Sequence, residues 1–179
     1  MKKIILASTS PRRREILKNA GLNFEIIKPV YDENILNKSF SYELIESIAT
    51  NKGLSILKNC DKNSIIISAD TVVIYNNIVL GKPKDYDDAI RMLKMLSGKT
   101  HRVVTAVCII NKELNKKIVK SETSEVSFNE LSIETIKDYV LKFKPYDKAG
   151  SYGIQELDES FVKEIKGNYE NIVGLPSSL

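Results

Sequence analysis

Hydrophobic residues along this chain follow two spacings, and their alternation predicts strands interleaved with helices. Apolar runs predict strands at residues 2–7, 24–27 and 65–67, and the unbroken run at 65–67 is typical of a strand covered on both faces. Apolar residues three or four positions apart predict four helices, at residues 11–20, 41–58, 86–97 and 132–141.

Polar turns between apolar segments predict the remaining strands. Asn76-Asn77 joins 72–75 to 78–80 as a hairpin, and the stretch "NKELNKK" joins 102–110 to 118–128. A last strand is predicted at 161–166. Strands separated by helices predict an α/β or α+β fold with a mixed sheet, and the length fits one domain over residues 1–179.

Composition narrows the class of protein. Hydrophobic residues make up 42% and charged residues 28% of the chain, which is ordinary for a soluble globular protein. No apolar run approaches the ~20 residues of a membrane span, and the first run is too short for a signal peptide. Cys60 follows a charged turn and Cys108 lies in an apolar strand, so we expect no disulfide and a cytoplasmic location.

Positive charge collects in the stretch "LASTSPRRREIL". Ser10 is a suitable N-cap for the helix that starts at Pro11, yet residues 12–14 are arginines in its first turn. Each cation there costs about 0.3–1 kcal/mol against the helix dipole. Either the helix tolerates these arginines, or a bound anion completes the site. The net charge of +4 suits an acidic ligand but is too dispersed to indicate nucleic-acid binding.

Lys52 interrupts the apolar stripe of the second predicted helix. It lies on one row with Leu44, Ile48 and Ile56. A lysine at such a position can carry its ammonium to the edge of the core, or it can reach into a cleft and meet an anion. The pattern leaves both interpretations open.

Acidic residues follow two of the predicted strands. Asp70 comes after the 65–67 run, where strands of α/β sheets present ligand-binding groups at their carboxyl ends. Asp32 and Glu33 lie in the loop after the second strand. One of them could join Asp70 in holding Mg²⁺, which takes one or two carboxylates plus substrate phosphates, although plain surface charge also explains the pair.

Three more positions carry candidate chemistry. Lys82 ends the hairpin, but the chain lacks a Walker loop, and a solvated turn lysine is the simpler interpretation. Gly150 and Gly153 frame a tight passage to Gln155, whose amide either contacts a base or belongs to a turn. His101 is the only histidine and is expected to be structural. This set of residues suits phosphate chemistry, because it combines several cations with candidate metal carboxylates and offers no cysteine or histidine nucleophile.

Nearly the whole chain resembles the Maf-type nucleotide pyrophosphatases. The matching segments are "LASTSPRR" (6–13), Glu33, "ATNKG" with Lys52, "SADTVV" (68–73), "LGKP" (80–83), "SGKTHRVVTAV" (97–107), "DKAGSYGIQ" (147–155) and "GNYENIVGLP" (167–176). Gly53 stands where relatives usually carry alanine, which predicts a helix weaker by about 0.5–1 kcal/mol. Relatives usually continue past residue 179 into a terminal helix, so we expect a change in the packing of the last lobe and not in the catalytic residues.

The resemblance implies an elongated α/β fold with a mixed sheet, flanking helices and two lobes around a cleft, similar to inosine triphosphate pyrophosphatases. It implies hydrolysis of nucleoside triphosphates to a monophosphate and pyrophosphate, with Mg²⁺ or Mn²⁺ as cofactor. The positions implied to bind the triphosphate are Ser8, Ser10, Arg13, Lys52 and Lys82, and those associated with base selection are Arg12, Thr71 and Gln155. Glu33 and Asp70 are implied to hold the metal, with Asp70 also the base for the attacking water.

Two subgroups of these pyrophosphatases differ in substrate. One prefers dTTP and UTP and carries "SPRR", "ADT" and "GIQ", as this chain does; the other prefers 7-methyl-GTP and has an aromatic residue where Pro11 stands. The resemblance therefore implies pyrimidine triphosphates, ordinary or modified, as substrates, with neither nucleic acid nor a membrane as partner. A nucleotide-sensing regulator of cell division that needs no catalysis stays an alternative, as do 7-methyl-GTP specificity and assembly as a homodimer.

Overall fold

The computed structural model describes residues 2–31 and 39–178, which form a seven-stranded mixed sheet with helices on both faces. The strands are β1 (Lys3–Ala7), β2 (Phe24–Ile26), β3 (Ser64–Tyr75), β4 (Ile78–Leu80), β5 (Thr100–Asn111), β6 (Lys116–Phe128) and β7 (Val162–Lys166). The helices are α1 (Pro11–Asn19), α2 (Tyr42–Ser55), α3 (Tyr86–Leu96), α4 (Ile133–Phe143) and α5 (Tyr169–Val173), with 3-10 turns at Leu57–Asn59, Ala149–Ser151 and Ile154–Glu156. The prediction of an α/β fold with a mixed sheet is confirmed.

The sheet is built around the long strand β3. The strand order is β2-β1-β3-β5-β6-β7, and β4 pairs with β3 outside this path. β1 is parallel to both β2 and β3, whereas β5, β6 and β7 continue the sheet in antiparallel fashion. β5 pairs with β3 from Ile65 to Ile74, so one edge of β3 is hydrogen-bonded along most of its length.

The other edge of β3 has a gap between two short neighbours. β1 pairs with it as far as Ser68, opposite Ala7. β4 pairs with it from Val73, opposite Leu80. Within the described ranges, no strand pairs with this edge at residues 69–72. The carboxyl ends of β1 and β4 therefore meet at the gap, and such strand ends are where open sheets bind ligands.

Hydrophobic cores lie on both faces of the sheet. On one face, α2 packs Ile45 and Ile48 against alternate residues of β3 that include Ile66, Val72 and Ile74. On the other face, α1, α3, α4 and α5 enclose a second core that includes the intervening β3 residues Ile67, Ala69 and Val73. The unbroken apolar run in β3 follows from this double coverage.

Gly53 allows α2 to approach β3 closely. A Cβ atom at this position would lie 2.7 Å from Ser68 Oγ and 2.9 Å from Ile110 Cδ1. One turn earlier, Ser68 Oγ donates a hydrogen bond of 2.7 Å to the carbonyl oxygen of Ala49. The expectation of a weaker helix considered helix propensity alone. In the structure, the close contact between α2 and β3 leaves little room for a side chain at position 53.

The structure corrects several local predictions. α2 ends at Ser55 instead of near residue 58, because the chain continues as a separate 3-10 turn. Ser10 occupies the N-cap position of α1, but its side chain makes no capping hydrogen bond. α1 ends at Asn19, one residue before the predicted end, and Ala20 is its exposed C-cap residue. The five-residue helix α5 was not predicted, since it spans too few residues to show a helical period.

The hairpin predicted at Asn76-Asn77 is confirmed. Asn76 and Asn77 have positive φ angles of 48° and 63° in the turn between β3 and β4. Asp85 caps α3 by accepting a hydrogen bond from the Asp88 backbone N–H. Cys60 and Cys108 are buried free thiols. Among the helices that the structure describes, none has the length and apolar character needed to cross a membrane.

Candidate active site

A cleft of about 530 Å³ opens at the gap beside β3. Two chain segments enter it from the ends of the short strands: the turn after β1 brings Ser8 and Ser10, and the turn after β4 brings Lys82. The floor is the centre of β3, with Asp70 and Thr71. The remaining walls come from the N-terminus of α1, the C-terminal half of α2, the segment 147–154, α5, and Pro29 and Tyr31 after β2.

Lys52 and Asp70 form a buried ion pair in this cleft. Their relative exposures are only 6% and 4%, and Lys52 Nζ donates a hydrogen bond to Asp70 Oδ1. Of the two interpretations of Lys52, the structure supports the one in which the side chain reaches a cleft and meets an anion. The anion it meets in the protein is the carboxylate of Asp70.

Asp70 lies within β3 and not at its end. The strand was expected to stop near this residue, but it continues to Tyr75 because β5 pairs with it through and beyond Asp70. The strand that does end beside Asp70 is β1. The predicted location at the carboxyl end of a strand is therefore correct for the neighbouring strand and wrong for β3.

The turn between β1 and α1 presents polar groups to the cleft. Ser8 is 4% exposed, and its Oγ accepts a hydrogen bond of 3.1 Å from the Ser10 backbone N–H. The first turn of α1 contains no acidic residue, so the helix dipole there is not offset by a carboxylate of the same turn. Arg12 and Arg13 line the cleft, whereas Arg14 is exposed outside it.

Arg13 is held by groups from three segments. Its Nε donates to the Gly174 carbonyl oxygen at 2.8 Å, and its Nη2 donates to Thr71 Oγ1 at 3.1 Å. A longer contact of 3.4 Å joins Nη1 to Ser8 Oγ. These contacts direct the guanidinium across the floor of the cleft.

The wall formed by the segment 147–154 carries an ionic network that includes Arg12. Arg12 Nη1 lies 3.2 Å from Asp147 Oδ2, and Lys148 Nζ lies 3.1 Å from Asp147 Oδ1 and 3.1 Å from Glu156 Oε1. Burial alone would raise the pKa of Asp147, but the hydrogen bonds and charges of Lys148 and Arg12 outweigh it and hold that pKa below its usual value. Tyr139 completes the network by donating to Glu156 Oε2 at 2.6 Å.

Lys148 and Asp147 are cleft residues that sequence reasoning missed. Lys148 is 8% exposed, and its carboxylate partners are one and eight positions away along an irregular segment. No periodic pattern marks such a segment, and the motif "DKAGSYGIQ" is the signal in the sequence that points to these two residues.

The structure brings together most of the predicted site residues. Those that line the cleft are Ser8, Ser10, Arg12, Arg13, Lys52, Asp70, Thr71 and Lys82. Gln155 is not part of the lining: it is exposed on the turn Ile154–Glu156, next to Ile154, which does line the cleft. Asp32 and Glu33 lie outside the described residues. The roles of all these residues stay predictions.

His101 lies in the aromatic core behind the cleft. Its Nε2 is 2.7 Å from the Tyr152 hydroxyl, and its ring packs edge-on against Phe128. Burial lowers the pKa of His101 from 6.5 to about 4, so the ring is neutral at physiological pH. It does not line the cleft, in agreement with the structural role expected of it.

The described residues contain no cluster of three or more His, Cys, Asp or Glu side chains suited to a metal. Asp70 is nevertheless a carboxylate on a rigid strand at the floor of the cleft. An ionised carboxylate accepts about four contacts, so its pairing with Lys52 is compatible with cation binding. The donor set fits Mg²⁺ or Mn²⁺, since such ions take few protein carboxylates and complete their shells with water and substrate phosphates.

Comparisons with known proteins match the chain over almost its full length. The family model described as Maf-like protein matches residues 3–179. The "dTTP/UTP pyrophosphatase" of Alkaliphilus oremlandii is 47% identical over 176 residues, which are 98% of this chain and 91% of that protein. The "dTTP/UTP pyrophosphatase" of Clostridioides difficile is 46% identical over 175 residues, which are 98% of this chain and 90% of that protein.

Solved structures show weaker similarity. A nucleoside-triphosphatase, dITP/XTP pyrophosphatase, from Mycobacterium abscessus is 17% identical, with a TM-score of 0.47 over 70% of this chain and 74% of that chain. The Ham1 protein of Staphylococcus aureus is 15% identical, with a TM-score of 0.49 over 71% of this chain and 72% of that chain.

Proposed function

Since the chain belongs to the family of Maf-like proteins, we propose that it hydrolyses nucleoside triphosphates, with dTTP and UTP as preferred substrates, to the monophosphate and pyrophosphate. The observation that carries the proposal is the cleft itself: Arg12, Arg13, Lys52 and Lys82 line it together with Asp70, the one buried carboxylate among the described residues. A cleft with this excess of cations suits a polyanion that also brings a metal ion.

The cations bind and orient the triphosphate. Arg13 and Lys52 are fixed by hydrogen bonds on the floor, whereas Lys82 is exposed at the rim and reaches the substrate from the side of β4. Ser8 and Ser10 add hydroxyl groups beside the free N–H groups of α1, where anions are favoured. Charge-assisted hydrogen bonds contribute about 1.5–3 kcal/mol each, so two or three of them outweigh the cost of arginines at a helix N-terminus.

Asp70 orients the attacking water and accepts its proton. It is suited to this role because the antiparallel pairing of β3 with β5 fixes its backbone on the floor of the cleft. Glu33 and Asp70 would hold Mg²⁺ or Mn²⁺, which when bound neutralises charge on the phosphate oxygens. Lys52, Lys82 and Arg13 stabilise the charge that develops on the departing pyrophosphate.

The base would bind in the part of the cleft that the phosphate-binding cations leave free. Arg12 lies against Asp147 in the lining, and Val103, Tyr152 and Ile172 contribute apolar side chains to it. We assign base selection to Arg12, Thr71 and Gln155. Gln155 is one residue from the lining, so its amide would contact the base at the rim.

We place the enzyme in the cytoplasm as one domain that removes unwanted nucleotides.

The test is pyrophosphate release from a panel of triphosphates with Mg²⁺ or Mn²⁺. We expect turnover of dTTP and UTP, slower turnover of 7-methyl-GTP, and none without a divalent cation. Asp70→Asn should abolish turnover while leaving the circular dichroism spectrum unchanged. Nucleotide binding without turnover under any metal would overturn the proposal and favour a nucleotide-sensing regulator.

A further inference from the structure

We propose that α5 positions the guanidinium of Arg13 through a directed chain of hydroxyl groups, with Asn171 and Thr105 as positioning residues. The inference rests on the proposed function in so far as Arg13 binds the triphosphate. Neither Asn171 nor Thr105 lines the cleft. Both are fully buried, so any influence on the reaction must pass through other residues.

Asn171 fastens α5 to the central strand β5. Its Nδ2 donates to the Val103 carbonyl oxygen at 3.0 Å, and its Oδ1 accepts from the Thr105 backbone N–H at 3.1 Å. The orientation of the amide is fixed by these partners, since a carbonyl can only accept and a backbone N–H can only donate. The Asn171 side chain therefore bonds β5 in the manner of a neighbouring strand.

From Asn171 a hydrogen-bonded chain leads to Arg13, and its direction is unambiguous. The backbone carbonyl oxygen of Asn171 accepts a hydrogen bond from Thr105 Oγ1 at 2.8 Å, and this bond uses the only hydrogen of the Thr105 hydroxyl. Thr105 Oγ1 must then accept from Thr71 Oγ1, 2.9 Å away. Thr71 Oγ1 has no hydrogen left and accepts from Arg13 Nη2. Each hydroxyl therefore has only one possible donor and one possible acceptor partner, and the series of hydrogen bonds ends with a lone pair of Thr71 Oγ1 facing the guanidinium.

The end of α5 provides a second contact with the same guanidinium. Gly174, which follows the helix, accepts from Arg13 Nε through its carbonyl oxygen. Its φ of 123° favours glycine, and a Cβ there would lie 3.2 Å from Thr71 Oγ1. The helix therefore holds the planar guanidinium at two of its nitrogens, directly at Nε and through two hydroxyls at Nη2. A planar group held at two atoms is restricted in orientation as well as in place.

Removal of one hydroxyl from the chain tests the proposal. Thr105→Val keeps the shape of the side chain but removes the oxygen that accepts from Thr71 Oγ1. The Thr71 hydroxyl can then rotate and donate to another group, which loosens its contact with Arg13. Thr105→Ser restores the hydroxyl at position 105. Thr100→Val is the matched control, since Thr100 lies on the same strand and its Oγ1 bonds Ser127 Oγ at 2.8 Å outside the cleft. We use Thr105 because Asn171→Ala would remove several buried hydrogen bonds at once and unfold the last segment.

In kinetics with dTTP, Thr105→Val should lower kcat about tenfold with a smaller change in KM, because a misdirected guanidinium stabilises the transition state less. Thr105→Ser and Thr100→Val should stay within about twofold of the unmodified protein. In an Arg13→Lys background, Thr105→Val should have little further effect, since the chain acts through Arg13. Equal losses of kcat in both backgrounds would overturn the proposal.

A second readout needs no turnover. In the protein without substrate, ¹⁵N relaxation of the Arg13 Nε–Hε group should give a lower order parameter in Thr105→Val and an unchanged one in Thr105→Ser and Thr100→Val. An unchanged order parameter in Thr105→Val would overturn the positioning role alone. Absence of pyrophosphate release from the unmodified protein would instead overturn the proposed function, so the two failures are distinguishable.

Discussion

Lys52 Nζ donates a hydrogen bond to Asp70 Oδ1 across the interface between α2 and β3, and both side chains are more than nine-tenths buried. The helix supplies the cation and the sheet supplies the carboxylate. Because each charge loses most of its water, each depends on the other for compensation. Substitution of either residue should consequently change both the stability of the fold and the floor of the cleft.

Lys52→Met should therefore destabilise the fold more than it would at an exposed site. The substitution leaves the Asp70 carboxylate buried beside an apolar chain, and the expected loss is about 3 kcal/mol in the free energy of unfolding. The double variant Lys52→Met/Asp70→Asn removes both charges and should recover much of this loss. Urea unfolding measures both changes. A single variant as stable as the unmodified protein would show that the pair does not contribute to stability.

Gly53→Ala should destabilise the protein even though alanine favours helices. The added methyl group meets Ser68 Oγ and Ile110 Cδ1, so α2 must move away from β3, at a cost of about 1–3 kcal/mol. Ser68→Ala removes the nearest atom and should reduce the cost of Gly53→Ala in the double variant. Thermal unfolding checks the sign. A gain in stability would mean that helix propensity decides this position.

His101 should make the fold less stable in weak acid. The unfolded chain takes up a proton near pH 6.5, whereas burial lowers the folded pKa to about 4. Between these values the unfolded state binds more protons, so the contribution of His101 to stability falls as pH falls, by at most about 3 kcal/mol. Above pH 6.5 it has no effect.

Urea unfolding at a series of pH values measures this dependence. His101→Phe keeps a ring in the aromatic core and cannot titrate, so it should flatten the slope between pH 6.5 and pH 4. The same slope in both proteins would assign the acid sensitivity to other groups.

Asp147→Asn should modestly strengthen substrate binding. The carboxylate lies in the lining of the cleft at a partly exposed site, 3.2 Å from Arg12, and its negative charge opposes the entry of a triphosphate. Loss of this charge should lower KM for dTTP about twofold at low ionic strength, and the difference should vanish in high salt. Asp87→Asn, at an exposed position outside the cleft, is the matched control. A higher KM for Asp147→Asn would show that Asp147 mainly positions Arg12.

The elements of the fold were predictable where they are long or regularly patterned. The caps Asp85 and Ser132 and the Asn76-Asn77 turn give local signals that the structure follows. β3 was predicted in two pieces because Ser68, Asp70 and Thr71 interrupt its apolar pattern. Pairing with β5 keeps these residues extended, and such long-range pairing leaves no mark on the local sequence.

Site residues were predictable where they break a pattern. Lys52 stands out because it occupies a buried row of a helix, and the arginines stand out because they begin one. Lys148 and Asn171 break no pattern, since they lie in an irregular segment and in a helix of five residues. Their importance comes from contacts that no local period marks: Lys148 pairs with Glu156 across an irregular segment, and Asn171 bonds Thr105 on a strand distant in sequence.

The gap beside β3 has a consequence for how the site can change. Successive side chains of a strand point to opposite faces, so Asp70 meets Lys52 on the α2 face, whereas Thr71 meets Arg13 on the other. A ligand that touches both must reach across the strand edge at which no strand of the described residues pairs. Insertion or deletion of one residue between Ser64 and Asp70 would exchange the two faces and put the carboxylate on the wrong side. The number of residues along β3 therefore decides which face each site residue occupies, and a change of one residue would disable the site.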